Sequence, residues 1–157
     1  MSEDVVEGTV QEVLEEVVTA LGLEGAVEVD RDGDVVTGTV HGDDLGLFIG
    51  RHGQTIDAVQ HLVFRIVLTR GGGAPEGDLR VVIDAEGYRA RRAEALQRLA
   101  DQAAEDARRQ GRAVALDVMT ASERKLVHEY LRDRGDVETY SEGEEPDRHL
   151  VVAPLVT

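Results

Sequence analysis

Cysteine is absent from the 157 residues, which excludes disulfides and thiolate metal sites and fits a reducing compartment. Aromatic side chains make up only 3%, too few for recognition dominated by base stacking on ring platforms, as in RRM or OB domains. Long apolar runs are also missing. The longest, LVFRIVLT at 62–69, is interrupted by Arg65 and far too short to span a bilayer. The amino terminus, MSEDVVEG, is acidic and lacks the basic and apolar regions of a secretory signal. A cytoplasmic protein without direct membrane insertion is expected. Positive charge is scarce: 17 Lys and Arg against 32 Asp and Glu give a net charge of −15. That balance argues against bulk attraction to nucleic acid or anionic membrane, and its simplest meaning is a solubilising surface. The deficit is uneven, however. Residues 1–85 hold 5 basic and 17 acidic side chains, whereas residues 86–157 hold 12 and 15, with Arg89, Arg91, Arg92 and Arg98 close together. Local basic patches can therefore coexist with global acidity.

What is present begins with periodicity. Thr9 and Glu12 have the spacing of a capping box, followed by the apolar stripe Val10, Val13, Leu14, Val17, Val18 and Leu21, with Gly22 as a stop. AVEVD (26–30) and VVTGTVH (35–41) read as strands, joined where Asp32-Gly33 suits a tight hairpin turn. Gly42-Asp43-Asp44 reads as a break and cap before a short helix at LGLFI (45–49). After Gly53, the residues Ile56, Val59, Leu62, Val63, Ile66 and Val67 trace one face of a longer helix. TRGGGAPEGD (69–78) is a loop, and LRVVIDA (79–85) alternates as a third strand. Residues 86–111 read as a long helix whose narrow stripe is Ala93, Leu96, Leu99, Ala100, Ala103 and Ala107. AVALDV (113–118) is a strand. Thr120 and Glu123 form a second capping box, opening a helix that stops at Gly135. DVETYS (136–141) and RHLVVAP (148–154) complete the strands.

Two motifs carry chemistry. Gly50-Arg51-His52-Gly53 stands immediately before a helix start. Its glycines allow positive φ and close backbone approach, and the helix behind them directs free N–H groups and its positive dipole end at the loop. Arg51 and His52 can contact phosphate or sugar. An apolar groove beside the loop is expected from Leu47, Ile49, Ile56 and Val59. A plain helix–helix turn is the alternative for an isolated Gly-x-x-Gly. In the second half, Arg124 and His128 share one helical face and Arg132 continues the row. Leu126, Val127, Tyr130 and Leu131 take the other side, so the polar row is expected to face solvent, with Glu123, Glu129 and Asp133 nearby as ordinary solvating partners.

FIGRHGQTIDAVQHLV followed by VVIDAEGYRARRAEALQRLA closely resembles the Jag family, also called SpoIIIJ-associated or KhpB proteins, and MTASERKLVHEYLRDRGDVETYSEGEEPDRHLVVAP extends the resemblance. It runs from about residue 5 to 154. It implies an α+β fold: a type II KH domain (α-β-β-α-α-β) at 1–85, then an R-three-H domain at 86–157. The latter is named for Arg and His separated by three residues, and consists of a long helix, a three-stranded antiparallel sheet and a second helix. The implied ligand is single-stranded RNA, with single-stranded DNA left open. The implied role is that of an RNA chaperone or post-transcriptional regulator, linked to cell-envelope growth and cell shape. A small KH-only protein is an implied partner.

The implied RNA-binding residues are Ile49, Gly50, Arg51, His52, Gly53 and Gln54 in the first half, and Arg124, His128, Arg132 and Arg148 in the second. Arg91 and Arg92 extend that surface, or with Arg89 bridge the two halves, unless they are ordinary solvated helix residues. His128 also has a structural option, a bond to the neighbouring strand. Many relatives carry proline before the methionine where this chain has Val118. Some carry a further amino-terminal domain that this sequence does not include, so roles tied to it are not expected. No nucleophile–base pair, metal cluster or phosphate-binding Gly-x-x-x-x-Gly-Lys-Ser/Thr is present. No catalytic residue, metal or cofactor is therefore expected. The alternative to RNA binding is a protein-interaction adaptor using a KH-like fold, which the net charge favours more than any motif does.

Overall fold

A computed structural model describes residues 2–74 and 77–156. By its contacts the chain divides into two compact units, Met1–Arg89 and Ala90–Thr157, four residues beyond the boundary expected from sequence.

The first unit contains α1 (Glu3–Ala20), β1 (Ala26–Asp32), β2 (Val35–His41), α2 (Gly46–Ile49), a 3-10 turn (Arg51–Gly53), α3 (Gln54–Arg70) and β3 (Arg80–Ala85). The sheet order is β1-β2-β3, with β1 antiparallel and β3 parallel to β2. Asp32 pairs with Val35, so the hairpin loop is Gly33-Asp34, with Gly33 at φ 58°. One sheet face packs on α1 and α3, through Val10, Leu14, Val36, Val40, Ile56, Val63, Val67 and Ile83. Fully burying side chains of this size stabilises the unit by about 1.5–3 kcal/mol each relative to exposure.

Local expectations fail here at three places. Helix α1 begins six residues before Thr9, because Val6 is buried beside Val10 and carries the apolar stripe upstream. Thr9 is consequently a buried mid-helix residue and Thr9/Glu12 is no capping box. Helix α2 is entered from Leu45 without a side-chain cap from Asp43 or Asp44. Leu62 is 51% exposed, leaving Ile56, Val59, Val63 and Val67 as the fully packed face of α3.

The second unit is built from α4 (Tyr88–Gln110), whose first two residues belong to the first unit, β4 (Val114–Val118), α5 (Ala121–Leu131), β5 (Val137–Glu142) and β6 (His149–Pro154). Its antiparallel sheet has the order β4-β6-β5. Its core joins Leu96, Ala100, Ala103, Ala104 and Ala107 of α4 to Val127, Leu131, Val137, Leu150 and Val152. Small alanines let the sheet and α5 approach α4 closely. Leu99 lies off this face, 48% exposed. The Thr120/Glu123 capping box is present, and Glu123 also accepts from Arg92 at 2.7 Å. Glu123 is thus a buried structural acid and no solvated neighbour of the polar row. Arg134 gathers Asp101, Glu105 and Asp136, fastening α4 to the start of β5.

Candidate nucleic-acid interface

In the first unit, α2 ends at Gly50, which adopts φ 75°, ψ 175°. Arg51, His52 and Gly53 form the single turn, with His52 at φ 55° and Gly53 at φ 77°. The two glycines are demanded by the chain itself. A Cβ on Gly50 would lie 2.2 Å from Thr55 Oγ1, and one on Gly53 would lie 2.9 Å from the Tyr88 hydroxyl. No side chain caps α3. Within the turn the Gly53 N–H bonds the Gly50 carbonyl and the Gln54 N–H bonds the Arg51 carbonyl, and the positive dipole end of the helix faces the loop. Arg51 and Gln54 are exposed and His52 is half-buried.

The expected apolar groove is not formed as drawn. Ile56 and Val59 are buried in the core, Ile49 packs against that core, and Leu47 is 65% exposed. An open groove of about 320 Å³ instead lies between α3 and β3, lined by Asp57, Gln60, His61 and Phe64 and by residues 79–82. Gln60 and Arg89 organise its edge. Gln60 Oε1 accepts from the Ile83 backbone N–H at 2.9 Å, and Arg89 donates to the Ile83 carbonyl at 2.7 Å and to Asp57 at 2.9 Å. Arg89 is therefore engaged inside the first unit.

In the second unit, an open groove of about 490 Å³ is lined by Lys125, His128, Thr139, Tyr140, Ser141 and Arg148, with Arg124 beneath it. Arg124 departs from expectation. It is 7% exposed and donates to the carbonyls of Met119 at 2.6 Å and Arg148 at 3.3 Å, and it pairs with Glu145. Its position in the first turn of α5 brings its guanidinium under the segment that enters β6, where fixed acceptors surround it. The polar row facing solvent is thus reduced to His128 and Arg132. His128 is exposed and hydrogen-bonds Thr139 of β5. Arg132, at the C-cap of α5, and Arg91, exposed on α4, do not line the groove, nor does Arg92, which binds Glu123. Arg148 donates to the Gly143 carbonyl at 2.6 Å, holding the β5–β6 turn.

Residues 9–73 match the KH-domain model of KhpA/KhpB, and residues 94–154 match the R-three-H domain model. The chain is 36% identical over 144 residues to RNA-binding protein KhpB of Clostridium symbiosum, covering 90% of this chain and 63% of the relative. Identity to RNA-binding protein KhpB of Bacillus subtilis is 32% over 142 residues, covering 89% and 66%. With the protein of that name from Lactiplantibacillus plantarum it is 39% over 137 residues, covering 87% and 41%.

The chain belongs to the KhpB/Jag family. It spans between 41% and 66% of the length of these relatives. Within that family frame the residues that sequence reasoning passed over are Thr55, Gln60, Tyr88, Lys125 and Thr139. Lys125 is the single lysine of the chain and stands beside the Arg124–His128 pair, so its signal was present. Gln60, Tyr88 and Thr139 meet neighbours from other elements, whereas Thr55 packs on Gly50 five residues before it. Among the described residues no group of three or more His, Asp or Glu is placed to hold a metal ion, and no helix is long and apolar enough to cross a membrane.

Proposed function

We propose that the chain binds single-stranded RNA without catalysing a reaction on it, through the glycine loop of the first unit and the cationic groove of the second. The carrying observation is the start of α3, without a side-chain cap, behind a loop whose two glycines take positive φ and lie too close to Thr55 and Tyr88 to carry a Cβ. Such a loop lets a phosphate approach the positive end of the helix while Arg51 stays exposed. The groove between α3 and β3 begins one turn further along, where a base attached to that phosphate would lie. Lys125, His128 and Arg148 supply a second phosphate-binding surface. The relatives' name, RNA-binding protein, supports the ligand class. Action as a cytoplasmic RNA chaperone or regulator, alone or with a small KH-only protein, is the cellular form of this reading.

The test is fluorescence anisotropy with a labelled single-stranded RNA pool. Arg51→Asp/His52→Asp and Lys125→Ala/His128→Ala are each expected to weaken binding by at least about tenfold, the equivalent of one lost charge-assisted bond. Circular dichroism should remain that of the parent chain. Unchanged affinity in both variants would defeat the proposal. Failure of the parent chain to bind would favour a protein adaptor, the reading that its net charge of −15 supports.

A further inference from the structure

The orientation of the Gln60 amide is determined by its neighbours. Its Oε1 accepts from the Ile83 backbone N–H at 2.9 Å and from Arg89 Nη2 at 3.0 Å. Both partners are obligate donors, so the amide can be seated only one way round. Arg89 is itself fixed by the Ile83 carbonyl and the Asp57 carboxylate. Gln60 is therefore a held group that turns Nε2 away from these donors, and it lines the groove between α3 and β3. Among the described residues nothing accepts from Nε2.

The strand beside it adds a second polar edge. Ile83 directs its backbone groups outward to Gln60 and Arg89, whereas Arg80 N–H is bonded to Asp34 on the β2 side. Backbone direction alternates along a strand, so Val81 shares the outward orientation of Ile83. The groove thus combines fixed amide donors from Gln60 with a backbone donor and acceptor from Val81. Phe64 and Leu79 give it partly buried apolar walls. This is the arrangement needed to read the edge of one base lying flat between α3 and the sheet.

We propose, on the basis of the RNA-binding reading above, that Gln60 is the specificity-determining residue of this groove. It favours a base with a keto oxygen, uracil or guanine, over one with an amino group, cytosine or adenine, at the same edge. An amino group there would place donor against donor and leave both unsatisfied in a partly dry site. Asp57 and His61 are the other polar side chains of α3 in the groove with acceptor capacity, and Arg89 engages the Asp57 carboxylate at 2.9 Å.

The experiment compares binding of oligouridine and oligocytidine of equal length, which have the same ring size and backbone. The full chain is expected to prefer uridine by at least about fivefold, a modest share of the discrimination one correct base contact gives. Gln60→Glu keeps an acceptor for Ile83 and Arg89 but replaces the amide donors with a second acceptor. It is expected to reverse the preference, while slow exchange of the Ile83 amide reports that the internal bond survives. Any preference contributed by the second unit is the same in the parent chain and in Gln60→Glu, so the change in ratio between them isolates the groove. Arg51→Asp/His52→Asp should weaken both ligands and keep the ratio. Equal binding of the two oligomers by the parent chain, or an unchanged ratio in Gln60→Glu, would overturn the assignment while leaving RNA binding intact. No binding of either oligomer by a parent chain that still binds the labelled RNA pool would overturn the assignment alone, and no binding of the pool would overturn both readings.

Discussion

Gly50 has no room for a methyl group. Beyond the 2.2 Å approach to Thr55 Oγ1, a Cβ there would lie 2.8 Å from the Thr55 backbone nitrogen, and φ 75° with ψ 175° belongs to a region essentially reserved for glycine. Gly53 is less demanding. Its φ 77°, ψ 15° is the left-handed helical well, which costs other residues about 1–2 kcal/mol. The atom it would meet is the Tyr88 hydroxyl, at the end of a side chain. Gly50→Ala is therefore expected to destabilise the chain by about 3 kcal/mol, strain and overpacking together, and Gly53→Ala by about half that. Urea denaturation reads the order directly, and a larger loss for Gly53→Ala would contradict the geometry. The Arg124–His128 pair divides in the same way. Arg124→Ala leaves the buried Met119 carbonyl without its side-chain donor, removes a bond to the part-buried Arg148 carbonyl, which the Met119 N–H still reaches, and unpairs the exposed Glu145, for an expected loss of about 2 kcal/mol. His128→Ala removes one exposed bond to Thr139 and should cost under about 1 kcal/mol. RNA affinity lost in Arg124→Ala therefore reports folding of the β6 entry as much as contact, which is why Lys125 and His128 are the better probes of the groove. Equal stability of the two variants would reverse this division.

Elements are held by ties that only the fold assembles, and His41 is one that pH can address. It ends β2, hydrogen-bonds Glu28 of β1 at 2.8 Å, and lies 3.3 Å from Glu86, whose carboxylate also accepts from the Gly42 N–H. The bond to Glu28 raises its pKa above the usual histidine value. Desolvation works against the rise, and Glu86 adds to it. Because the folded pKa is the higher one, the stabilisation is fully present below the unfolded value of about 6.5. It is lost as pH rises through the folded value. Glu28→Gln is accordingly expected to lower the His41 midpoint in an NMR titration, and to destabilise the chain at pH 6 more than at pH 9. A midpoint unmoved by Glu28→Gln would sink the pairing. Such ties mark the limit of legibility. The apolar stripes of α1, α3 and α5, the Asp32-Gly33 hairpin signal and the Thr120/Glu123 box could be read because their causes are local. Thr9 and Glu12 have the same spacing as Thr120 and Glu123, but Val6 extends the stripe past them, and burial outweighed the cap. Leu62 and Leu99 fit a 3.6-residue period yet fall outside the packed arc, where Ala104 suffices. The glycine loop was legible as a motif. The approach of Tyr88 to Gly53, the burial of Arg124 and the locking of Gln60 were not, because each depends on a partner brought in by the chain's return.

At the scale of the whole molecule, a net charge of −15 must be reconciled with the polyanionic ligand proposed above. Long-range repulsion and local attraction respond oppositely to salt. The Debye length is about 10 Å at 0.1 M and about 30 Å at 0.01 M, so the acidic surface repels RNA most strongly in dilute buffer. Contacts from Arg51, Lys125 and Arg148 number about three, and for single strands the slope of log affinity against log salt is about −0.7 per neutralised phosphate. Above about 0.1 M salt, where the long-range term is screened, a slope near −2 is expected. Below about 0.05 M the growing repulsion should flatten the curve or turn it over, in contrast to a basic protein, whose affinity continues to climb. Anisotropy titrations across this range with one RNA test both limbs. A slope steeper than about −5 would require roughly seven phosphate contacts, more than the two surfaces offer, and would place the main RNA contacts elsewhere. A monotonic rise into dilute buffer would show that the acidic residues lie too far from the bound strand to oppose it. The two sites would then be electrostatically insulated patches on a surface whose charge serves another purpose.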